Sequence, residues 1–189
     1  MYPPACQWWL TMSSLYLTKE PISLAEIFSG FHHPAAGGIV LFSGEVRNHH
    51  MGKSVAFLEY EAYESMAEKM IGKIITEAKE KWELHLVHCI HRLGKISISE
   101  SAIVVLTAAS HRSEAFEANR WIVDRIKHEA PIWKKETFTD GTSDWVMQCE
   151  GCTFESEFHK PKQLHAEPMQ PIRNMQAHFV LPHAEQQQQ

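Results

Sequence analysis

The chain has 189 residues and a mass of 21.7 kDa, with 44% hydrophobic and 22% charged residues, which suits a single globular domain. Eighteen Lys and Arg residues against 23 Asp and Glu residues give a net charge of −5, which argues against a nucleic-acid-binding surface. No apolar run approaches the roughly 20 residues of a membrane-spanning helix, and no secretory signal is visible, so we expect a cytosolic protein without a membrane partner.

Composition changes divide the chain into three segments. Residues 1–12 show neither helical nor strand periodicity, and we predict an unstructured leader there, with Met12 as a possible alternative start. Residues 150–189 are rich in His, Pro and Gln, which predicts a mobile tail. Residues 13–149 then form the domain, and we predict no metal site and no disulfide scaffold within it.

Apolar periodicity predicts alternating strands and helices along this domain. The predicted helices cover 22–31, 64–82 and 111–130, the last capped by Ser110 and stopped by Pro131. The predicted strands cover 39–46, 55–63, 84–91, 95–99, 102–109, 132–138 and 144–148. This mixed order indicates the α+β class rather than a doubly wound sheet.

Basic side chains are placed where helices and strands meet. His111 and Arg112 open the third helix, where unpaired N–H groups favour an anion such as phosphate or carboxylate, although an ordinary solvated first turn is the plainer interpretation. Lys127, Lys134 and Lys135 surround the end of that helix, and clustering of like charges lowers lysine pKa values; a solvated basic corner is the alternative.

Other possible chemistry has less support in the sequence. His85 and His91 face one side of a strand and His88 the other, so the three cannot share one metal ion. A single Cys149–Cys152 pair is half a zinc site, and Cys89 is predicted to be a small buried residue. Phosphate-binding, dinucleotide and serine-hydrolase motifs are missing, and we find no convincing internal carrier of sulfur.

Five motifs in register resemble the large, catalytic subunit of molybdopterin synthase over about residues 37–147. They are Phe42-Ser-Gly-Glu-Val-Arg-Asn48, Leu58-Glu-Tyr-Glu-Ala-Tyr63 with Met66-Ala67, His91-Arg-Leu-Gly94, Ser110-His-Arg112 with Glu114-Ala-Phe116, and Lys127 through Pro131-Ile-Trp-Lys-Lys-Glu136.

The resemblance implies a sulfurtransferase of molybdenum cofactor biosynthesis that converts cyclic pyranopterin monophosphate to molybdopterin. Two dithiolene sulfurs would arrive as a thiocarboxylate on the C-terminal glycine of a ubiquitin-like small subunit, so no other cofactor is expected. The resemblance also implies an α/β hammerhead-like region with an additional antiparallel β-sheet, and a homodimer at the centre of a heterotetramer.

The resemblance assigns residue roles as well. Arg47, His111 and Arg112 fall on positions that hold the anionic pterin, Lys127 and Lys134 on essential catalytic lysines, and Lys135 and Glu136 complete the substrate-binding corner. The sequence leaves open which lysine plays which part. Two other hypotheses are a non-catalytic anion- and partner-binding module of the same fold and a phosphoester hydrolase using His111.

Overall fold

A computed structural model describes residues 16–146. The predictions for the leader at 1–12, for the tail at 150–189, and for Cys149 and Cys152 lie outside these residues. Within residues 16–146 there are three helices, α1 (Leu24–Ser29), α2 (Glu64–Lys81) and α3 (Arg112–Glu129). The strands are β1 (Leu17–Thr18), β2 (Gly38–Glu45), β3 (His49–His50), β4 (Lys53–Ala62), β5 (Leu84–Arg92), β6 (Gly94–Ser97), β7 (Ser101–Ala109), β8 (Ile132–Phe138) and β9 (Ser143–Val146).

A four-stranded sheet in the order β1-β5-β7-β2 holds the main core. Every residue of β7 is buried, because the β-branched run is covered on both faces. Helices α2 and α3 pack their apolar stripes on one face, where Ile71, Ile74, Ile122 and Ile126 lie in one cluster. Full burial of each such side chain contributes roughly 1.5–3 kcal/mol. The opposite face packs against Ile27 of α1 and Phe31.

A second sheet runs β3-β4-β8-β9, and β6 also pairs with β4. All of its pairs are antiparallel, and Tyr60 of β4 lies opposite Lys134 of β8. Together the two sheets confirm the predicted α+β class with an additional antiparallel sheet. Within the described part of the chain, no helix is both long and apolar enough to cross a bilayer.

Two short strands, β1 and β3, were not predicted from the sequence. Strand β1 is only two residues long and pairs in parallel with the end of β5. Strand β3 forms a hairpin with β4, and the turn residues Met51 and Gly52 have φ values of 47° and 80°. Positive φ at both central residues is the geometry of a type I′ turn, which matches the twist of paired strands and favours Gly at the second position.

Candidate active site

Lys127 lies in the last turn of α3 and faces a basic corner of the fold. Although the residue is exposed as a whole, its Nζ lies 5.3 Å from the centre of the Phe42 ring. Loss of water around the ammonium lowers the pKa of Lys127 most, and the positive charges of Lys134 and Arg47 lower it further against the opposing effect of Asp124. The corner therefore favours a neutral amine at Lys127 more than ordinary lysine surroundings do.

Lys134 is held by a buried carboxylate two residues further along β8. Its Nζ lies 2.9 Å from Glu136 Oε1, while the second carboxylate oxygen, Oε2, contacts Nδ1 of His50. Burial alone would raise the pKa of Glu136, but the hydrogen bonds and charges of His50 and Lys134 outweigh it and lower that pKa. Glu136 is thus an ionised, 3% exposed anchor for Lys134.

Tyr60 and His91 lie next to these charged groups, and although both stand in motifs of the sequence, neither was predicted to take part in the site. Their rings meet edge to face with centroids 5.0 Å apart. Burial, with a smaller effect of Glu136, raises the pKa of Tyr60 to about 12. Burial also lowers the pKa of His91 to about 4, against the hydrogen bond its Nδ1 makes to the Arg92 carbonyl. Both side chains are therefore neutral at pH 7.

Lys135 does not join this corner. Alternate residues of a strand face opposite sides of the sheet, so Lys135 faces away from Lys134. Its Nζ lies 3.7 Å from the Glu59 carboxylate on the paired strand β4. The predicted cluster of three lysines is thus a pair, Lys127 and Lys134.

His111 and Arg112 lie at the opposite end of α3 from Lys127. Fifteen positions separate Arg112 from Lys127, which is about 22 Å at 1.5 Å per residue. Gly37 and Gly38 permit close packing here, because a Cβ at Gly37 would lie 2.4 Å from the Ser110 carbonyl oxygen and one at Gly38 3.0 Å from the Arg112 Cα.

The predicted Ser110 cap is wrong. His111 is the N-cap residue, and its side chain makes no capping hydrogen bond. The Ser110 hydroxyl lies 2.9 Å from His85 Nε2, and the His85 ring stacks on His33 with centroids 4.8 Å apart. The hydroxyl is therefore committed to a neighbouring strand rather than to the helix.

The three histidines of β5 are spread along the strand, and the described cysteine, Cys89, lies in the core. His85 and His91 stand at opposite ends of β5, about 20 Å apart at 3.3 Å per residue. Residues 16–146 contain no group of three or more His, Cys, Asp or Glu side chains that could hold a metal ion. Cys89 is fully buried, as predicted, and burial strongly raises the pKa of its thiol.

At this corner of the α+β fold, Lys127, Lys134 and Arg47 place positive charge beside neutral Tyr60 and His91, an arrangement that suits an anionic ligand. A family model described as MoaE protein matches residues 17–129. The chain therefore belongs to the MoaE family, that of the molybdopterin synthase catalytic subunits of molybdenum cofactor biosynthesis.

Curated relatives carry that name in bacteria and mammals. The molybdopterin synthase catalytic subunit of Bacillus subtilis is 42% identical over 135 residues, covering 71% of this chain and 85% of the relative. The protein of the same name in Rattus norvegicus is 37% identical over 136 residues, covering 72% and 68%. Because these relatives are named as catalytic subunits, a non-catalytic binding module is not favoured.

Solved structures agree in fold. The molybdopterin synthase crystal structure from Staphylococcus aureus superposes with a TM-score of 0.66 at 36% identity, covering 71% of this chain and 98% of that one. A complex of subunits 1 and 2 of molybdopterin-converting factor from Helicobacter pylori gives a TM-score of 0.59 at 21% identity, covering 69% and 88%, and is a likeness of fold.

Proposed function

We propose that this chain transfers two sulfurs to cyclic pyranopterin monophosphate, taking each from the thiocarboxylate of a ubiquitin-like small subunit. The observation that carries the proposal is the basic corner of Arg47, Lys127 and Lys134, built next to the partly buried Tyr60 and the buried His91. Sulfur supply from a partner agrees with the state of Cys89, whose buried thiol has a raised pKa and is unsuited to nucleophilic work. No other cofactor is required by this scheme.

The two lysines have different surroundings, which suggests a division of labour. Lys127, with its lowered pKa, is the better proton acceptor or transient covalent partner at the reacting carbons. Lys134, whose ammonium pairs with the Glu136 carboxylate at 2.9 Å, would stabilise negative charge developing on oxygen or orient the partner's terminal carboxyl. Arg47 would neutralise the substrate phosphate.

His111 and Arg112 enter the proposal through a second copy of the chain. One substrate cannot bridge about 22 Å between Arg112 and Lys127 along a single α3 helix. In a two-fold homodimer the same patch of each copy meets its equivalent, so residues from one copy can complete the site of the other. We propose that each site combines Arg47, Lys127 and Lys134 of one copy with His111 and Arg112 of its partner copy.

The assembly would therefore be a homodimer with one small subunit bound to each copy. The relatives are named catalytic subunits, which implies that those proteins work with a further subunit. The proposed compartment is the cytosol, where the four cysteines of the chain need form no disulfide.

Reconstitution tests the proposal. The full chain, cyclic pyranopterin monophosphate and a thiocarboxylated small subunit are combined, and mass spectrometry follows the pterin. We expect a product with two added sulfurs, and no product when the small subunit ends in an ordinary carboxylate. A folded chain that binds the small subunit but yields no sulfur-containing pterin would overturn the proposed function.

A further inference from the structure

The β3–β4 hairpin brings His50 against the basic corner. Its tight turn at Met51 and Gly52 places His50 at the end of β3, next to Lys53 of β4 in the register. The His50 side chain is only 11% exposed. The adjacent His49 is exposed and bonds the neighbouring Asn48 Oδ1 at 2.7 Å instead.

Glu136 has both carboxylate oxygens engaged in this arrangement. Oε2 contacts His50 Nδ1, and Oε1 lies 2.9 Å from Lys134 Nζ. The carboxylate side chain is 4% exposed, whereas that of Lys134 is 27% exposed. Because each carboxylate oxygen of Glu136 has its own contact, the rotation of the carboxylate is fixed. The position of Oε1 relative to Lys134 therefore depends on the bond between Oε2 and His50.

The charged neighbour of His50 on β4 pairs with a different carboxylate. Lys53, the register partner of His50, directs its Nζ to Asp144 at 3.9 Å and over the Phe138 ring at 4.8 Å. Lys134 in turn acts electrostatically on Lys127. Contacts thus run from the hairpin through Glu136 to Lys134, whose charge acts on Lys127.

We propose that His50 is a positioning residue for sulfur transfer: it orients Glu136, which holds the Lys134 ammonium beside Lys127. This inference rests on the proposed function. His50 touches no reacting atom in this scheme, and its effect passes through Glu136. Small displacements of a group that orients the reacting atoms can lower the rate about a hundredfold, so loss of the bond between His50 and Glu136 should lower kcat.

Substitutions that move a single donor test the role. His50→Leu keeps bulk and removes the donor, His50→Asn places an amide nitrogen where Nδ1 stood, and His50→Gln carries the amide one bond too far. With saturating substrate and small subunit, we expect kcat to fall about tenfold to a hundredfold in the Leu variant with a smaller change in KM. The Asn variant should recover activity to within about threefold of wild type, and the Gln variant should not.

A double substitution separates positioning from simple structural support. If His50 acts through Glu136, His50→Leu should add little to the loss already caused by Glu136→Gln. His32→Leu, at an exposed histidine outside this corner, serves as the matched control and should keep wild-type kcat. Thermal unfolding of each variant checks folding, and the Asn and Gln comparison remains decisive if the Leu variant does not fold.

Three results would overturn the inference: a Leu variant with wild-type kcat, equal kcat in the Asn and Gln variants, or an undiminished Leu effect in the Glu136→Gln background. An inactive wild-type chain would instead count against the proposed function. The two failures are therefore distinguishable.

Discussion

Lys134 and Glu136 face the same side of β8, and Lys134 Nζ lies 2.9 Å from Glu136 Oε1. A lysine that we propose acts in catalysis is thereby held by a carboxylate that is itself almost completely buried. This pair joins the stability of the second sheet to the geometry of the site, because the same carboxylate also contacts His50 of the hairpin.

Glu136→Gln should lower the free energy of unfolding by about 1.5–3 kcal/mol at pH 7, the usual size of a hydrogen bond to a charged group. The folded pKa of Glu136 is lowered by His50 and Lys134. Its contribution is therefore complete above the unfolded glutamate value, about 4.3, and is lost as the pH falls through the folded value.

Chemical denaturation of wild type and variant between pH 7 and pH 3 measures this difference. The gap between the two stability curves should narrow as the pH falls below about 4.3, because the folded pKa of Glu136 is lowered. Glu61→Gln, at an exposed glutamate of β4, is the matched control and should follow wild type throughout. A gap between wild type and Glu136→Gln that persists unchanged to pH 3 would contradict the assignment.

Between pH 6.5 and about 4, the loss of folding stability should come from two buried histidines. Burial lowers the pKa of His88 and of His91 from the ordinary 6.5 to about 4. Between these values the unfolded chain binds protons that the folded chain excludes, so stability is complete above pH 6.5 and falls as the pH drops toward 4. Shifts of this size correspond to about 3 kcal/mol for each histidine.

The two histidines together cause the free energy of unfolding to decline between pH 6.5 and pH 4.5. His88→Leu removes one of them, so this decline should become about half as large. Urea denaturation at several pH values measures that slope. His32→Leu should leave it unchanged, since His32 is exposed. An unaltered slope in the His88 variant would show that the proton uptake occurs elsewhere.

The charge of Arg47 should tune Lys127. Arg47 is one of the groups that lower the pKa of Lys127, so Arg47→Gln should raise that pKa. After reductive ¹³C-methylation, NMR titration of the Lys127 resonance, assigned by its absence in Lys127→Arg, follows the change. A Lys127 resonance that titrates at the same pH in both proteins would contradict the electrostatic link.

Mixed dimers should complement each other if the site is shared between copies. Lys127→Ala and Arg112→Ala homodimers should both be nearly inactive. When the two variants are mixed in equal amounts and allowed to re-associate, half of the dimers contain one copy of each variant. Each mixed dimer has one intact site out of two, so the activity should reach about a quarter of wild type. Activity no higher than that of either single variant would argue against the composite site.

Long, periodic elements could be predicted from the sequence, since each carries its own apolar stripe. Helices α2 and α3 and the buried strand β7 were predicted to within two residues at each end. Strand β1, at two residues, is too short to show a period and exists only through its pairing with β5. The Ser110 hydroxyl was assigned to the helix because no sequence pattern reveals its bond to His85.

The site was predictable in part. Strand alternation already places Lys135 on the other face of β8 from Lys134, and the length of α3 separates Arg112 from Lys127 within one copy, so both separations follow from element geometry. His50 was missed because its contact to Glu136 joins positions 86 residues apart. The Met51-Gly52 turn beside it was the available signal, since Gly at the second position favours a tight hairpin.

The most direct measurement is pterin sulfuration by the Lys127→Ala chain, with Lys69→Ala as a control at an exposed lysine of α2. Both are assayed with thiocarboxylated small subunit and cyclic pyranopterin monophosphate, and folding is checked by thermal unfolding. We predict that Lys127→Ala lowers the rate at which the two-sulfur product forms by about a hundredfold or more, while Lys69→Ala keeps the wild-type rate. A Lys127→Ala chain that makes the product at the wild-type rate would remove Lys127 from the chemistry and contradict the site proposed for this family member.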